Sequence, residues 1–192
     1  MNLTTAANCP ICNQMMQFSW ETQDIPYFGE AMLIAGVCEC GFRHSDTILL
    51  GQKEAARYTL QVTEVDDLDA RVIRSSSGTI RIPEIGVNIE PGYASESYVS
   101  NVEGILERIE GIVGFATRSA RSAGSEESTR KGEEILEQVA QARRGQFEFT
   151  LILEDPLGNS AIVSDKVQRC TLTCEEIDSL QTGMLILDVS DK

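Results

Sequence analysis

The chain has 192 residues, 42% of them hydrophobic, with a formal net charge of −14 and a pI of about 4.4. This length and apolar content support one globular domain, or a small module joined to a larger one. The acidic surface repels phosphate backbones and disfavours a general nucleic-acid role, and an apolar run long enough for a membrane span is absent. The start, Met1-Asn2-Leu3-Thr4-Thr5, lacks the basic and apolar regions of a signal peptide. A cytoplasmic protein is therefore expected, with no membrane partner and a monomer as the default state. In that reducing setting its six cysteines point to metal or free thiols rather than disulfides.

In chain order the first feature is a pair of cysteine turns, Cys9-Pro10-Ile11-Cys12 and Cys38-Glu39-Cys40-Gly41, with 25 residues between Cys12 and Cys38. Four thiolates in two close pairs suit Zn²⁺, which takes four ligands tetrahedrally at about 2.3 Å from sulfur. Pro10 fixes φ inside the first turn. Asn13 and Gly41 follow Cys12 and Cys40, and these residue types take φ > 0 most easily, so that N–H groups can fold back toward sulfur. The second pair is one residue shorter than the usual knuckle. His44, separated from Cys40 by three residues, could replace one sulfur, but a four-sulfur site gives Gly41 and both cysteines a purpose. The metal ligands are accordingly Cys9, Cys12, Cys38 and Cys40. A redox disulfide between Cys9 and Cys12 would need a preceding strand and a following helix, neither of which is evident.

Between the turns, Asp24-Ile25-Pro26-Tyr27-Phe28-Gly29-Glu30 sets two aromatics among Pro and Gly, and Ala31–Ala35 reads as a buried strand leading to the second turn. Tyr27 and Phe28 either pack as the finger's small core or, with Glu30, stand out as partner contacts. From Phe42 to Glu90 short strands follow one another: Thr47–Leu50, Tyr58–Val62, Ala70–Arg74, Thr79–Ile82 and Val87–Ile89. They are divided by turn residues such as Asp66-Asp67-Leu68-Asp69 and Ser75-Ser76-Ser77-Gly78, the pattern of a sandwich or jelly-roll barrel rather than βαβ units.

Val102, Ile105, Leu106, Ile109, Ile112, Val113 and Ala116 then fall on one helical face, with Ser100 and Glu103 forming a capping box. Thr117 to Thr129 reads as a flexible connection. A second helix carries Ile135, Leu136, Val139 and Ala142, with Arg143 and Arg144 opposing its dipole and Gly145 ending it. The two helices make an antiparallel hairpin laid on the sheet. Phe147 to Leu153 is a strand, Asp155-Pro156-Leu157-Gly158-Asn159 a hairpin turn, and Ala161-Ile162-Val163 its return. Thr173 and Glu176 cap a short helical turn, and Met184–Leu187 is the last strand. Cys170 and Cys174 are core or cap residues, since no further ligand joins them. The expected organisation is a zinc finger over residues 1–50 and a β-domain over 51–192, with the helical hairpin at about 100–145.

Taken together, the two cysteine turns, Ile25-Pro26-Tyr27-Phe28, Arg74-Ser75, Ile82-Pro83-Glu84-Ile85, Val102-Glu103-Gly104-Ile105-Leu106 and Asp155-Pro156-Leu157-Gly158-Asn159-Ser160 resemble the ZPR zinc-finger family. The resemblance spans roughly residues 8 to 165. It implies a four-cysteine finger on a jelly-roll-like double-stranded β-helix carrying a helical hairpin, in a single copy as in the archaeal form. It also implies binding, folding or assembly of the translation elongation factor one-alpha GTPase. The C-x-C turn departs from the C-x-x-C spacing of eukaryotic members.

The expected function is thus a zinc-stabilised protein-interaction module acting on that GTPase. A nucleic-acid-binding zinc ribbon is the alternative, resting on Arg43, Arg71, Arg74 and Arg81 as a basic strip on the sheet. An enzyme is disfavoured by counting: with His44 alone, no two-histidine metal site can be built, and Ser-His-Asp or Cys-His catalysis has one histidine to draw on. Asp155 and Glu84 are read as a turn residue and a strand-end contact, not as catalytic carboxylates.

Overall fold

The computed structural model describes residues 2–26, 28–51, 53–92 and 95–181. They form two units, Met1–Lys53 and Glu54–Lys192. Most of the structure is β, with three helices, and no helix among the described residues is long and apolar enough to cross a membrane.

The first unit is an antiparallel meander of β1 (Asn2–Asn8), β2 (Met15–Ile25), β3 (Gly29–Val37) and β4 (Arg43–Leu49), each strand paired with the next. Exposure alternates along β2, as period-two side chains on a half-covered sheet require. Phe18 sits opposite Gly36, where any Cβ would lie 2.8 Å from the ring, so the glycine makes room for the aromatic. Trp20, the chain's single tryptophan, donates its Nε1–H to Thr5 Oγ1 at 2.7 Å across the β1–β2 pair. Of these strands, the sequence pattern singled out β3 and the latter part of β4. The mixed polar sequence of β1 and β2 hides their pairing.

The second unit holds β5 (Ala56–Val62), β6 (Arg71–Arg74), β7 (Thr79–Ile82), β8 (Val87–Ile89), β9 (Tyr98–Asn101), α1 (Val102–Ser122), α2 (Glu126–Arg143), β10 (Phe149–Asp155), β11 (Ala161–Val163), β12 (Gln168–Thr171) and α3 (Cys174–Ser179). Two antiparallel sheets result, ordered β12-β5-β10-β7-β8 and β11-β6-β9. Leu60, Val72, Ile80, Leu151, Leu153 and Ile162 from the sheets share one core with Val102, Ile105, Leu106 and Ile109 of α1 and Val139 of α2. The mainly-β class with a helical hairpin is therefore as expected from the strand and helix patterns.

Several local readings need correction. The stretch 117–129 is not a long connection: α1 continues to Ser122 and α2 begins at Glu126. Its Ser, Arg and Glu residues are exposed helix rather than linker. Buried Thr117 meets Gly132, where a Cβ would stand 2.0 Å from the threonine Oγ1, so the two helices approach closely there. The cap of α1 is Asn101, whose side chain accepts from Gly104 N–H at 2.9 Å, not Ser100 with Glu103. Glu103 instead pairs with Arg143 at the far end of α2, as the antiparallel hairpin places them. Gly145, at φ 68°, ends α2 as read. Thr173 and Glu176 cap α3 reciprocally, again as read.

The turn at Asp155 exists, with Gly158 N–H donating to Asp155 C=O at 3.2 Å, but it does not close a hairpin. β10 pairs with β5 and β7, whereas β11 crosses to pair with β6 in the other sheet. Cys170 and Cys174 are exposed, not core residues, and the α3 cap is Thr173. Arg43 lies on β4 of the first unit, and Arg71 and Arg74 on β6 and Arg81 on β7 of the second, so the four arginines belong to three sheets, and Arg74 is buried. The expected strand Met184–Leu187 lies outside the described residues.

Candidate metal centre

Both cysteine turns sit at the same end of the first unit, one joining β1 to β2 and the other β3 to β4. Each is closed in the same way. Cys9 N–H donates to Gln14 C=O at 2.8 Å, and Asn13 N–H to Cys9 C=O at 2.9 Å. Cys38 N–H donates to Phe42 C=O at 2.9 Å, and Gly41 N–H to Cys38 C=O at 3.0 Å. Asn13 and Gly41 take positive φ, 59° and 92°, at the matching step of each turn. The shorter C-x-C spacing therefore removes one residue from the loop and keeps the closing bonds.

The four Sγ atoms lie within 4.8 Å of one another. Across the turns, Cys9 Sγ is 3.7 Å from Cys40 Sγ, and Cys12 Sγ is 3.5 Å from Cys38 Sγ. Four sulfurs at about 2.3 Å from a tetrahedral centre stand about 3.8 Å apart, so the spacing fits a zinc ion. Cys9 and Cys38 are buried, Cys12 is half-buried and Cys40 is exposed. Met16, Phe18 and Phe42 pack against them as a small apolar floor.

The site's electrostatics call for a cation. Burial raises the Cys9 thiol, but the N–H groups of Cys12 and Ile11 and the thiols of Cys38 and Cys40 more than offset it, bringing Cys9 down to about 7. At Cys38 the Cys40 N–H favours the thiolate, yet burial and the three neighbouring sulfurs push the group up to about 12. Sulfurs this close cannot all ionise unless positive charge enters among them.

His44 stands on β4 with its ring edge-on to Phe18, 5.7 Å between centroids, and is no part of the sulfur cluster. Of the residues proposed from sequence as partner contacts, Tyr27 lies outside the described residues. Phe28 is buried, 7% exposed, so its ring packs inside the unit. Glu30 is exposed at the start of β3, the strand end opposite the cysteines. The sequence reading passed over Ile11, Met15 and Val37, which are 73%, 71% and 64% exposed beside the metal turns. Val37 sits opposite Gln17, which shares a strand face with Met15, so the two form a diagonal pair. Large apolar residues flanking a metal turn without a core to enter were the available signal.

A second polar centre lies in the other unit. Asp155, fully buried, accepts from Ser75 Oγ at 2.7 Å, Ser77 Oγ at 2.7 Å, Ser160 Oγ at 2.6 Å and Leu157 N–H at 2.9 Å. This explains the crossover after β10: the carboxylate ties the β6–β7 turn to the start of β11. Glu84 accepts from the N–H and hydroxyl of Thr150 at 3.1 and 2.6 Å, the strand-end contact read from sequence.

Comparison with known proteins matches both units. The ZPR1 zinc-finger domain family matches residues 3–52, and the ZPR1 jelly-roll domain family residues 66–181. An uncharacterised ZPR1-like protein of Methanocaldococcus jannaschii is 42% identical over 185 residues, covering 95% of this chain and 92% of that protein. One from Pyrococcus horikoshii is 40% identical over 191 residues, covering 96% and 84%. The zinc finger chaperone zpr1 of Schizosaccharomyces pombe is 29% identical over 161 residues, 82% of this chain and 35% of that protein. With its four cysteines positioned to bind a metal ion and both domains matched, the chain belongs to the ZPR1 family.

Proposed function

We propose that Cys9, Cys12, Cys38 and Cys40 hold one structural zinc ion, and that the finger so formed is a protein-docking module that binds a translation elongation factor one-alpha GTPase or assists its folding. The observation that carries the reading is the convergence of four sulfurs from two hairpins. Beside them Ile11, Met15 and Val37 offer exposed apolar area, of the kind that anchors a partner. A unit with so few buried apolar side chains draws its folding energy from the metal. The fission-yeast relative is named a chaperone, and the human relative a zinc finger protein. Neither name describes a catalysed reaction, which favours a binding role over an enzyme. The dispersal of Arg43, Arg71, Arg74 and Arg81 weighs against the nucleic-acid reading.

The test is calorimetric titration of purified elongation factor one-alpha into the zinc-loaded chain. Saturable binding that disappears on chelation, and weakens in Met15→Ser and Val37→Ser, is expected. A zinc-loaded chain without affinity for the factor, in either its nucleotide-bound or its nucleotide-free form, refutes the reading.

A further inference from the structure

The second unit contains two arginine cations facing one cavity without a carboxylate partner. The cavity has a volume of about 620 Å³, within the range of small-molecule sites, and Arg74, Ile89, Ser95, Tyr98 and Arg108 line it. Arg74 of β6 is only 4% exposed and sits opposite Tyr98 of β9. Its Nη1 donates to Ser95 Oγ at 3.0 Å, while its buried Nε has no hydrogen-bond partner. Arg108 of α1 stacks on the same tyrosine, 4.2 Å from the ring centroid against 5.7 Å for Arg74. Among the described residues neither arginine enters an ion pair, whereas Arg57, Arg81, Arg143 and Arg169 all do.

Burying a guanidinium without an anion is costly, and a second one nearby adds repulsion. The buried anion that acts on Arg74 is Asp155, and its oxygens are already taken by three serine hydroxyls and the Leu157 N–H. Burial accordingly lowers the Arg74 pKa, helped by the like charge of Arg108. The tyrosine holds both cations in place by cation–π contact but neutralises neither. Two arginines and two glutamates line the cavity, yet among the described residues neither arginine forms an ion pair with either glutamate, so the buried Arg74 keeps its charge uncompensated. Planar guanidinium forks match oxyanions bidentately, and two such charges suit a dianion better than a single carboxylate.

We propose that this cavity binds a phosphate group, free or carried by a small molecule, between the guanidiniums of Arg74 and Arg108, with the Ser95 hydroxyl as a further donor. Tyr98 and Ile89 supply the walls against which the rest of a small ligand would lie. Glu90 and Glu96 also line the cavity and oppose the anion, which gives the proposal a test of opposite sign. All of the lining residues belong to the second unit.

The experiment titrates the full zinc-loaded chain with inorganic phosphate, glycerol 3-phosphate and acetate at constant ionic strength, so that screening is held fixed. Saturable phosphate binding is expected, with acetate weaker. Arg108→Ala, at an exposed helix position, should weaken phosphate by about tenfold or more, the loss of one charge-assisted contact. Glu96→Gln should tighten it by about twofold to fivefold, the scale of an exposed charge pair. Tighter binding of glycerol 3-phosphate assigns the remaining volume to a ligand body, and equal binding assigns the site to free phosphate. Equal phosphate affinity in wild type and Arg108→Ala, acetate binding as tight as phosphate, or no saturable binding by the wild type overturns the proposal.

Discussion

Replacing Asp155 by Asn tests whether the buried serine cluster holds the two sheets of the second unit together. The substitution keeps shape, so no cavity term enters. Ser75 and Ser160 donate to one carboxylate oxygen, Ser77 and the Leu157 N–H to the other. An amide can keep one oxygen and its two donors, but it presents N–H groups where the other oxygen stood. Ser160 Oγ also accepts from Ser75 N–H at 2.9 Å, and Ser75 Oγ from Ser77 N–H at 3.2 Å. Ser75 can redirect its proton to Ser77 Oγ, 2.9 Å away, whereas the Ser160 proton loses its acceptor. Two charge-assisted bonds become neutral ones and one buried hydroxyl is orphaned, a loss of about 3 kcal/mol. The urea midpoint of the second unit, followed by far-UV circular dichroism, should fall by about 1–2 M. Trp20 fluorescence reports on the first unit alone, and its transition should stay in place. A variant as stable as the wild type would refute the claim that this carboxylate ties the sheets together.

Chelation of zinc, or Cys38→Ser, should unfold the first unit and expose Trp20, read as a red shift in emission, while the dichroism of the second unit persists; an unchanged emission would refute a structural metal. Gly132→Ala places a Cβ against Thr117 and should destabilise the hairpin by about 1–3 kcal/mol despite better helix propensity. Thr117→Ala in the same chain should restore much of the thermal midpoint, and failure to do so would remove the steric explanation. At Asp67, burial raises the carboxyl, but Lys166 at 2.6 Å and the N–H groups of Thr63 and Glu64 outweigh it and hold the pKa below its ordinary 3.8. A lowered folded pKa stabilises above the unfolded value and is lost as pH falls through the folded one. Asp67→Asn should therefore cost stability at neutral pH, with the gap closing as pH drops below 3.8. A gap that widens in acid contradicts the assignment.

What could be read from the sequence was whatever rests on local chemistry. Asn13, Gly41 and Gly145 reveal their positive φ because few residues tolerate it, and the cysteine spacing reveals the metal cluster. The strand from Tyr58 to Val62 shows its period because one face meets the core. β1 and β2 escaped because a small sheet buries little on either side, so their polar residues carry no alternation that stands out. The destination of β11 escaped for a different reason. A turn signal fixes the bend, but the strand the chain then joins lies in the other sheet, where Asp155 bonds to serines some 80 positions earlier, a contact that local pattern does not carry. Ser100 lost the cap to Asn101 by one position, a margin finer than sequence pattern resolves. The paired arginines at Tyr98 were separated by sequence distance, and only the fold brings them together.

The strand order has a consequence for how the protein emerges from the ribosome. Every pairing in the meander joins consecutive strands, so that part can take shape as soon as its last strand is synthesised. β5 has no such neighbour. The first of its two partners to be made, β10, follows about 90 residues later, which at cellular translation speeds is roughly 5–20 s of waiting. During that interval both backbone edges of β5 and its core-facing Leu60 and Val62 stand open to other chains, making the half-made polypeptide the vulnerable form of this protein.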